Sequence, residues 1–191
     1  KLLKHSSTQS QFVQKLVVFL FLQKCYAKLQ LKVNEAKSAV ASAFARKFLG
    51  YSLWVARGGE VKRRVADKSM ADFKQRIRQL TRRSSGRSMP AIAERLRTYL
   101  LGWKGYFGLA QTPKVWRELD EWLRHRLRAI QLKQWKRGTT MYRELKALGA
   151  SDDDARRVAA NSRCWWVNSA KRLNRVLTIA YFDRLGVPRL S

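Results

Sequence analysis

An excess of positive charge constrains this chain more than any other feature of its sequence. Its 191 residues include 41 Lys or Arg and only 13 Asp or Glu, which gives a formal net charge of +28 at pH 7. A charge this far from zero opposes compaction by self-repulsion and favours a polyanionic partner. With 46% hydrophobic and 11% aromatic residues, the chain carries more apolar material than a disordered basic tail. We therefore expect a folded, basic protein rather than a histone-like arm.

The cysteines and the longest apolar run exclude several other classes. Cys25 and Cys164 lie far apart, form no Cys-x-x-Cys motif and have only His5 and His125 to help them, so neither a local zinc site nor a disulfide framework is predicted. The longest apolar run, residues 16–22 (LVVFLFL), is far shorter than the roughly 20 residues that cross a bilayer. We expect a cytoplasmic protein without a membrane partner, and interpret the run as part of a buried helix over residues 12–31.

Strands are predicted only in the first third of the chain. Leu29, Leu31 and Val33 alternate with polar residues, which is the periodicity of a half-buried strand. Two further runs, residues 48–55 and 60–65, flank the Gly58-Gly59 pair in the pattern of a hairpin. No later segment predicts a strand.

Helix signals dominate the rest of the chain. Residues 69–72 (SMAD) have the pattern of a capping box and predict a helix to about Arg83. Ser88 and Pro90 begin a second helix, and Thr112-Pro113 a third that runs to about Lys136. Residues 140–148 form a fourth that Gly149 ends, and Ser151 with Asp154 caps a fifth. The predicted fold class is therefore mainly α, a helical bundle preceded by a small antiparallel β-hairpin.

A glycine row on the second predicted helix needs a physical reason. Gly102, Gly105 and Gly108 recur every third residue, although each costs about 1 kcal/mol relative to Ala in a helix interior. Close approach of another backbone, from protein or nucleic acid, would explain the row.

Residues that resemble a catalytic or metal site have simpler interpretations. Asp152, Asp153 and Asp154 are consecutive, so on a helix they point in different directions, and acids in a first turn stabilise the helix dipole. His125 has cationic neighbours and no carboxylate partner nearby in sequence, which argues against general base catalysis. Cys25 is expected to pack as a small hydrophobe.

Basic side chains interleaved with aromatic ones predict a nucleic-acid surface. Cations release counterions from phosphates, and flat rings stack on unpaired bases. The alternative for the aromatic residues is core packing, since Trp103, Trp116 and Trp122 lie at core spacings. The residues predicted to bind RNA are Lys62, Arg63, Arg64, Arg82, Arg83, Arg87, Lys104, Lys114, Arg117, Arg124, Arg128, Lys133, Lys136 and Arg137.

Two subsets of these cations have a predicted environment. Arg117, Arg124 and Arg128 fall opposite the apolar face of the third helix, which predicts that all three stay solvated. The competing interpretation is that some of them pair with Glu118, Asp120 or Glu121 and brace the bundle. Arg82, Arg83 and Arg87 flank a short linker, residues 82–88 (RRSSGRS), which could close over a phosphate backbone.

Residues 84–148 closely resemble the maturase-specific domain of bacterial group II intron reverse transcriptases, most specifically at residues 101–107 (LGWKGYF). Upstream, residues 31–53 resemble the last palm segment of these polymerases, with the Asn-Glu-x-Lys and Phe-Leu-Gly-Tyr elements present. Downstream, Cys164-Trp165-Trp166 and residues 180–190 resemble the end of members that lack an appended endonuclease.

The resemblance implies three regions. Residues 1–66 would be a remnant of the palm, with residues 1–28 matching poorly; residues 67–149 would be the thumb and maturase-specific domain; residues 150–191 would be a C-terminal helical extension. The family's Tyr-x-Asp-Asp polymerase turn is absent from the chain. We therefore expect no polymerase activity from the chain by itself and no cofactor in it, with Mg²⁺ expected only for the intact polymerase.

The implied partner is group II intron RNA, in a bacterial cytoplasm. The first hypothesis is a truncated, RNA-binding part of a maturase that assists splicing without polymerase chemistry. The second is the C-terminal half of a split reverse transcriptase, which would need a separate palm polypeptide and would hold a primer-template duplex. The third is a general basic nucleic-acid-binding protein.

Overall fold

The computed structural model describes residues 17–18, 20–32, 34, 42–170 and 172–191. Predictions for the start of the first helix, for Val33 and for most of the Asn-Glu-x-Lys element lie outside the described residues. The chain divides into two compact units, residues 1–61 and residues 62–191.

The first unit begins with a helix whose apolar side chains are exposed. Residues 17–18 and 20–28 are helical (α1), which confirms that part of the predicted helix. Val17 is 59% exposed and Phe21 is 64% exposed, so the prediction of a buried helix is wrong for this stretch. The apolar residues are nearly consecutive rather than three or four apart, so they surround the helix instead of forming one face.

The strand predicted from Leu29 is also wrong for the described residues 29–32, because they form a helix cap. Gln30 has φ = 56°, and the N–H of Leu31 donates to the carbonyl of Tyr26 at 3.0 Å. This geometry closes the C-terminus of α1 as a Schellman motif. The cap satisfies backbone groups that a strand would have paired with a neighbour.

A small antiparallel sheet follows a 3₁₀ turn at Ala43–Ala45. Its strands are β1 (Lys47–Phe48), β2 (Tyr51–Val55) and β3 (Val61–Val65), in the order β1-β2-β3. Phe48 pairs with Tyr51, because Leu49 and Gly50 both have positive φ and make a two-residue turn. The single strand predicted over residues 48–55 is therefore two strands. The hairpin predicted around Gly58-Gly59 is confirmed, with Gly59 at φ = 82°.

After the residues of β3, the second unit is helical. Its helices are α2 (Asp67–Leu80), α3 (Met89–Phe107), α4 (Pro113–Trp135), α5 (Gly138–Ala147), α6 (Asp152–Ala160), α7 (Trp165–Asn168) and α8 (Ile179–Arg184), with a 3₁₀ turn at Arg172–Arg175. The predicted starts of α3 and α4 are confirmed. The capping box predicted at residues 69–72 is wrong because α2 begins two residues earlier, with Asp67 in its first turn. No described helix is long and apolar enough to span a membrane.

Trp103 is the centre of the core that joins α2, α3 and α4. Its ring centroid lies 4.1 Å from that of Phe73 on α2 and 5.2 Å from that of Trp116 on α4. Phe107, one turn further along α3, adds a contact at 4.9 Å. Ring pairs at these separations contribute about 0.5–1.5 kcal/mol each beyond the area they bury. The core role predicted for Trp103 and Trp116 is therefore confirmed.

The glycine row meets no second protein backbone among the described residues. A Cβ built on Gly102 or Gly105 has no neighbour within 4 Å, and a Cβ on Gly108 would lie 2.8 Å from the carbonyl oxygen of Lys104 in the preceding turn. The close approach of two helices occurs elsewhere. Gly138 at the start of α5 would place a Cβ 2.6 Å from the carbonyl oxygen of Ala159 on α6.

Candidate nucleic-acid interface

Two tryptophans in the second unit each have two cations within 6 Å of the ring centroid. The Trp122 ring on α4 has Arg78 Cζ at 5.7 Å and Arg126 Cζ at 5.4 Å from its centroid. Arg126 follows Trp122 by one helical turn, whereas Arg78 reaches it from α2. Cations within about 6 Å of an indole face are attracted to its quadrupole.

Trp165 repeats this arrangement at the start of α7. Its ring centroid lies 5.6 Å from Arg83 Cζ and 5.0 Å from Lys133 Nζ. Arg83 is exposed, and Trp165 and Lys133 are half-buried. We call the six residues Arg78, Arg83, Trp122, Arg126, Lys133 and Trp165 the cation–indole surface.

Thr81 fixes the middle of the cation–indole surface. Arg126 Nε donates to Thr81 Oγ1 at 2.8 Å, and Thr81 Oγ1 donates to the Ile77 carbonyl at 2.5 Å. Burial lowers the pKa of Arg126 from its ordinary value, and the nearby charges of Arg78 and Arg83 lower it further. The guanidinium therefore lies in a positive field that an anion would relieve.

A second cluster of cations lines a cavity of about 350 Å³ beside the linker between α2 and α3. The lining side chains include three arginines and no carboxylate: Gln79, Leu80, Arg82, Ser84, Ser85, Arg87 and Arg95. Gln134 Nε2 donates to the Arg87 carbonyl at 2.8 Å and ties the linker to α4. Guanidinium forks and hydroxyls are suitable donors for phosphate oxygens.

His125, three residues beyond Trp122 on α4, forms a second aromatic contact. Its ring stacks on Trp166 with centroids 3.9 Å apart and planes at 26°. Its Nε2 lies 2.9 Å from the Trp166 carbonyl oxygen and donates to it. Trp166 is 43% exposed, so this stack leaves part of an indole open to solvent.

The prediction that Arg124 and Arg128 stay solvated is wrong. They are 6% and 7% exposed, because the segment that follows α7 covers this face of α4. Arg128 Nε donates to the Leu177 carbonyl at 2.9 Å, and Arg124 lies 3.8 Å from Asp120. The part of the competing interpretation in which some of these arginines pair with Glu118, Asp120 or Glu121 is confirmed for Arg124. Arg117 is exposed as predicted.

The other predicted cations are spread over the second unit. Arg82 and Arg87 line the linker cavity, and Arg83 and Lys133 belong to the cation–indole surface. Lys136 and Arg137 are exposed at the end of α4. Arg64, on β3, lies 3.8 Å from Asp67. Lys104, near the end of α3, donates to the Arg189 carbonyl. Lys114, at the start of α4, lies 4.0 Å from Glu118. Lys62 and Arg63 are on β3.

Sequence reasoning missed Arg78, Arg126 and Trp165, and assigned Trp122 to the core. The four-residue spacing of Trp122 and Arg126 was a readable signal for a pair on one helix face. The contacts of Arg78 with Trp122 and of Arg83 with Trp165 join residues more than 40 positions apart, so only the tertiary fold reveals them.

The acidic run has the capping role that was predicted for it. Ser151 Oγ accepts the N–H of Asp154 at 3.1 Å, and Asp152 and Asp153 pair separately with Arg156 and Arg157, each at 2.7 Å. Over the part of the chain that the structure describes, no group of three His, Cys, Asp or Glu residues is arranged to hold a metal ion.

Comparison with known proteins identifies the domain that carries most of this surface. Residues 70–149 match the family model of the group II intron, maturase-specific domain. The match extends from α2 through α5, and it confirms the resemblance seen at residues 84–148. Over these residues the chain is therefore similar to the maturase-specific domain of group II intron proteins. No curated protein matches the chain.

Proposed function

We propose that this chain binds group II intron RNA through the cation–indole surface and the linker cavity, and that this binding assists splicing. The observation that carries the proposal is the pair of tryptophans, Trp122 and Trp165, each with two cations 5.0–5.7 Å from its ring centroid. Domains of this family belong to group II intron proteins, which makes intron RNA the expected polyanion.

The two parts of the surface supply complementary interactions with RNA. Arginines and lysines neutralise phosphates and release their counterions, which gives affinity without sequence preference. Indoles and guanidinium planes stack on bases that loops and bulges leave unpaired. A folded intron offers both duplex backbone and unpaired bases, so the combination suits a structured RNA better than a uniform duplex.

The linker cavity supports the same proposal. Arg82, Arg87 and Arg95 converge on one cavity with Ser84 and Ser85. Three guanidiniums without a carboxylate make a strongly positive site, which stabilises a phosphate more than any neutral group. Gly86, with φ = 65°, gives the linker the turn that brings its two ends to the same cavity.

A salt titration of RNA binding tests the proposal. The double variant Arg82→Gln/Arg87→Gln and the single variant Trp165→Ala are compared with the parent chain for affinity to a transcribed group II intron RNA. Each phosphate contact that is lost should reduce the slope of log K against log salt concentration by roughly one unit. Trp165→Ala should weaken binding while changing that slope less, because stacking releases few counterions.

The matched control is Arg143→Gln/Arg157→Gln, which removes the same charge from exposed positions on α5 and α6. Its slope should stay closer to that of the parent. Equal losses of slope in the two double variants would contradict a localised surface and favour general basic binding. Splicing assistance is tested with the same set, by measuring the splicing rate of the intron transcript at limiting Mg²⁺. The parent should accelerate splicing more than Trp165→Ala does.

A further inference from the structure

A cavity of about 720 Å³ lies between α4 and the segment that follows α7, separate from the linker cavity. Its lining combines carboxylates, guanidiniums, a histidine and an indole: Glu118, Glu121, Trp122, Arg124, His125, Arg128, Ala170, Asn174 and Ile179. The volume is within the range of pockets that hold small ligands. Trp122 belongs both to this cavity and to the cation–indole surface, so the two sites are adjacent.

Arg124 in this cavity has a hydrogen-bond donor that none of the described residues uses. Its Nε is buried and has no hydrogen-bond partner among the described residues. Its NH1 lies 3.8 Å from Asp120, which is beyond hydrogen-bond distance. The carboxylate of Asp120 is already occupied by the backbone of Leu190 and Ser191. A buried guanidinium donor without a partner is costly, and an acceptor from a ligand would remove that cost.

The cavity also offers acceptors beside these donors. Glu121, Arg124, His125 and Arg128 are spaced three, four and seven residues along α4, so they lie on one face of the helix. Glu121 is exposed, whereas Arg124 and Arg128 are buried. Any ligand that enters would therefore meet a carboxylate first and guanidiniums further in.

This order of groups disfavours a simple anion and fits a neutral base. Phosphate would be repelled by Glu118 and Glu121 at the exposed side. Guanine has acceptors, O6 and N7, that match an arginine fork, and donors, N1–H and the 2-amino group, that match a carboxylate. Adenine lacks the matching donors on that edge.

We infer that this cavity binds an unpaired guanine base of the RNA, with Glu121 accepting from N1–H and the 2-amino group and Arg124 donating to the acceptor edge. The inference rests on the proposed function, because it places one base of an RNA strand that also crosses the cation–indole surface. Trp122 and His125 supply flat rings beside the base.

The test compares three single-stranded nine-nucleotide RNAs in low-salt buffer: all uridine, uridine with a central guanosine, and uridine with a central adenosine. The parent chain should bind the guanosine strand about tenfold more tightly than the other two, as expected for a bidentate base contact. Glu121→Ala should abolish that preference. Glu94→Ala, which removes the same charge from an exposed position on α3 outside the cavity, should retain it.

The outcomes separate this inference from the proposed function. If the parent binds all three strands equally, the guanine site is overturned and RNA binding stands. Retention of the guanosine preference by Glu121→Ala, or its equal loss in Glu94→Ala, also overturns the site. Failure of the parent to bind any of these strands and the intron transcript overturns both proposals. Circular dichroism spectra of the variants check that each is folded.

Discussion

Asp120 accepts the backbone N–H of Leu190, with 3.0 Å and 3.2 Å between the nitrogen and the two carboxylate oxygens, although the residues are 70 positions apart. The same carboxylate accepts the backbone N–H and the hydroxyl of Ser191 at 2.9 Å and 2.8 Å. Its side chain is 4% exposed and lies 3.8 Å from the Arg124 guanidinium. One buried carboxylate therefore holds residues 190–191 against α4 and compensates a buried cation.

Asp120→Ala should lower the free energy of unfolding by about 3 kcal/mol or more, because it leaves Arg124 as an uncompensated buried charge. Asp120→Asn keeps the shape and one acceptor, so its loss should be smaller. Urea unfolding followed by circular dichroism measures both. Glu118→Ala is the control, since its exposed pair with Lys114 is worth about 0–1 kcal/mol. A value for Asp120→Ala no larger than that of the control would show that the carboxylate does not brace the fold.

Two arginines on α4 should differ sharply in their effect on stability. Arg128→Ala removes a buried donor to the Leu177 carbonyl and should cost about 1–3 kcal/mol. Arg117→Ala changes an exposed residue and should cost less than about 0.5 kcal/mol. Thermal unfolding of the two variants beside the parent measures the difference. Equal melting temperatures for the two variants would instead support the sequence-based prediction that Arg117 and Arg128 are both solvated.

The burial of Arg124 and Arg128 could not be predicted from the sequence. The spacing of Arg117, Arg124 and Arg128 correctly places them away from Trp116 and Leu119, but an amphipathic pattern cannot tell solvent from a second packed segment. The covering residues, such as Leu177, lie 49 positions beyond Arg128. The segment around Leu177 has no pattern that identifies its partner in advance.

Local signals were more reliable than long-range ones. Pro90 and Pro113 predict the starts of α3 and α4 because proline's fixed φ acts within one turn, and Ser151 predicts its cap for the same reason. Residues 69–72 fit the capping rule equally well, yet the helix begins at Asp67, after Ala66, and no side chain caps its N-terminus. In the candidate site, Arg82, Arg83 and Arg87 share a linker visible in sequence. The pairing of Arg78 with Trp122 depends on how α2 packs against α4.

The bond between Tyr142 and Asp152 should set the acid titration of Asp152. The Tyr142 hydroxyl donates to Asp152 Oδ1 at 2.5 Å, and this bond, with the charges of Arg156 and Lys146, holds the pKa of Asp152 below its ordinary value. A lowered carboxyl pKa stabilises the fold above the unfolded-state pKa, and that stability is lost as the pH falls through the folded-state pKa. Tyr142→Phe removes the donor, so the pKa of Asp152 should rise towards its ordinary value.

NMR titration of the Asp152 side-chain carboxyl carbon measures this shift in the parent and in Tyr142→Phe. If the Asp152 titration is the same in the two proteins, the ion pair with Arg156 rather than the hydroxyl controls its charge.

The same substitution, glycine to alanine, should have opposite effects at two helical positions. Gly105 lies on the exposed face of α3, and its added Cβ would meet nothing within 4 Å. Gly105→Ala should therefore raise the free energy of unfolding by up to about 1 kcal/mol, through the higher helix propensity of alanine.

At Gly138 the Cβ would lie 2.6 Å from the Ala159 carbonyl oxygen, so α5 and α6 would have to separate. Gly138→Ala should be destabilising by about 1–3 kcal/mol, since the clash involves backbone and outweighs the gain in propensity. Urea unfolding of both variants gives the two signs. Stabilisation by Gly138→Ala would mean that the α5–α6 contact is looser than its geometry requires, and destabilisation by Gly105→Ala would mean that the exposed face of α3 has a neighbour in the folded protein.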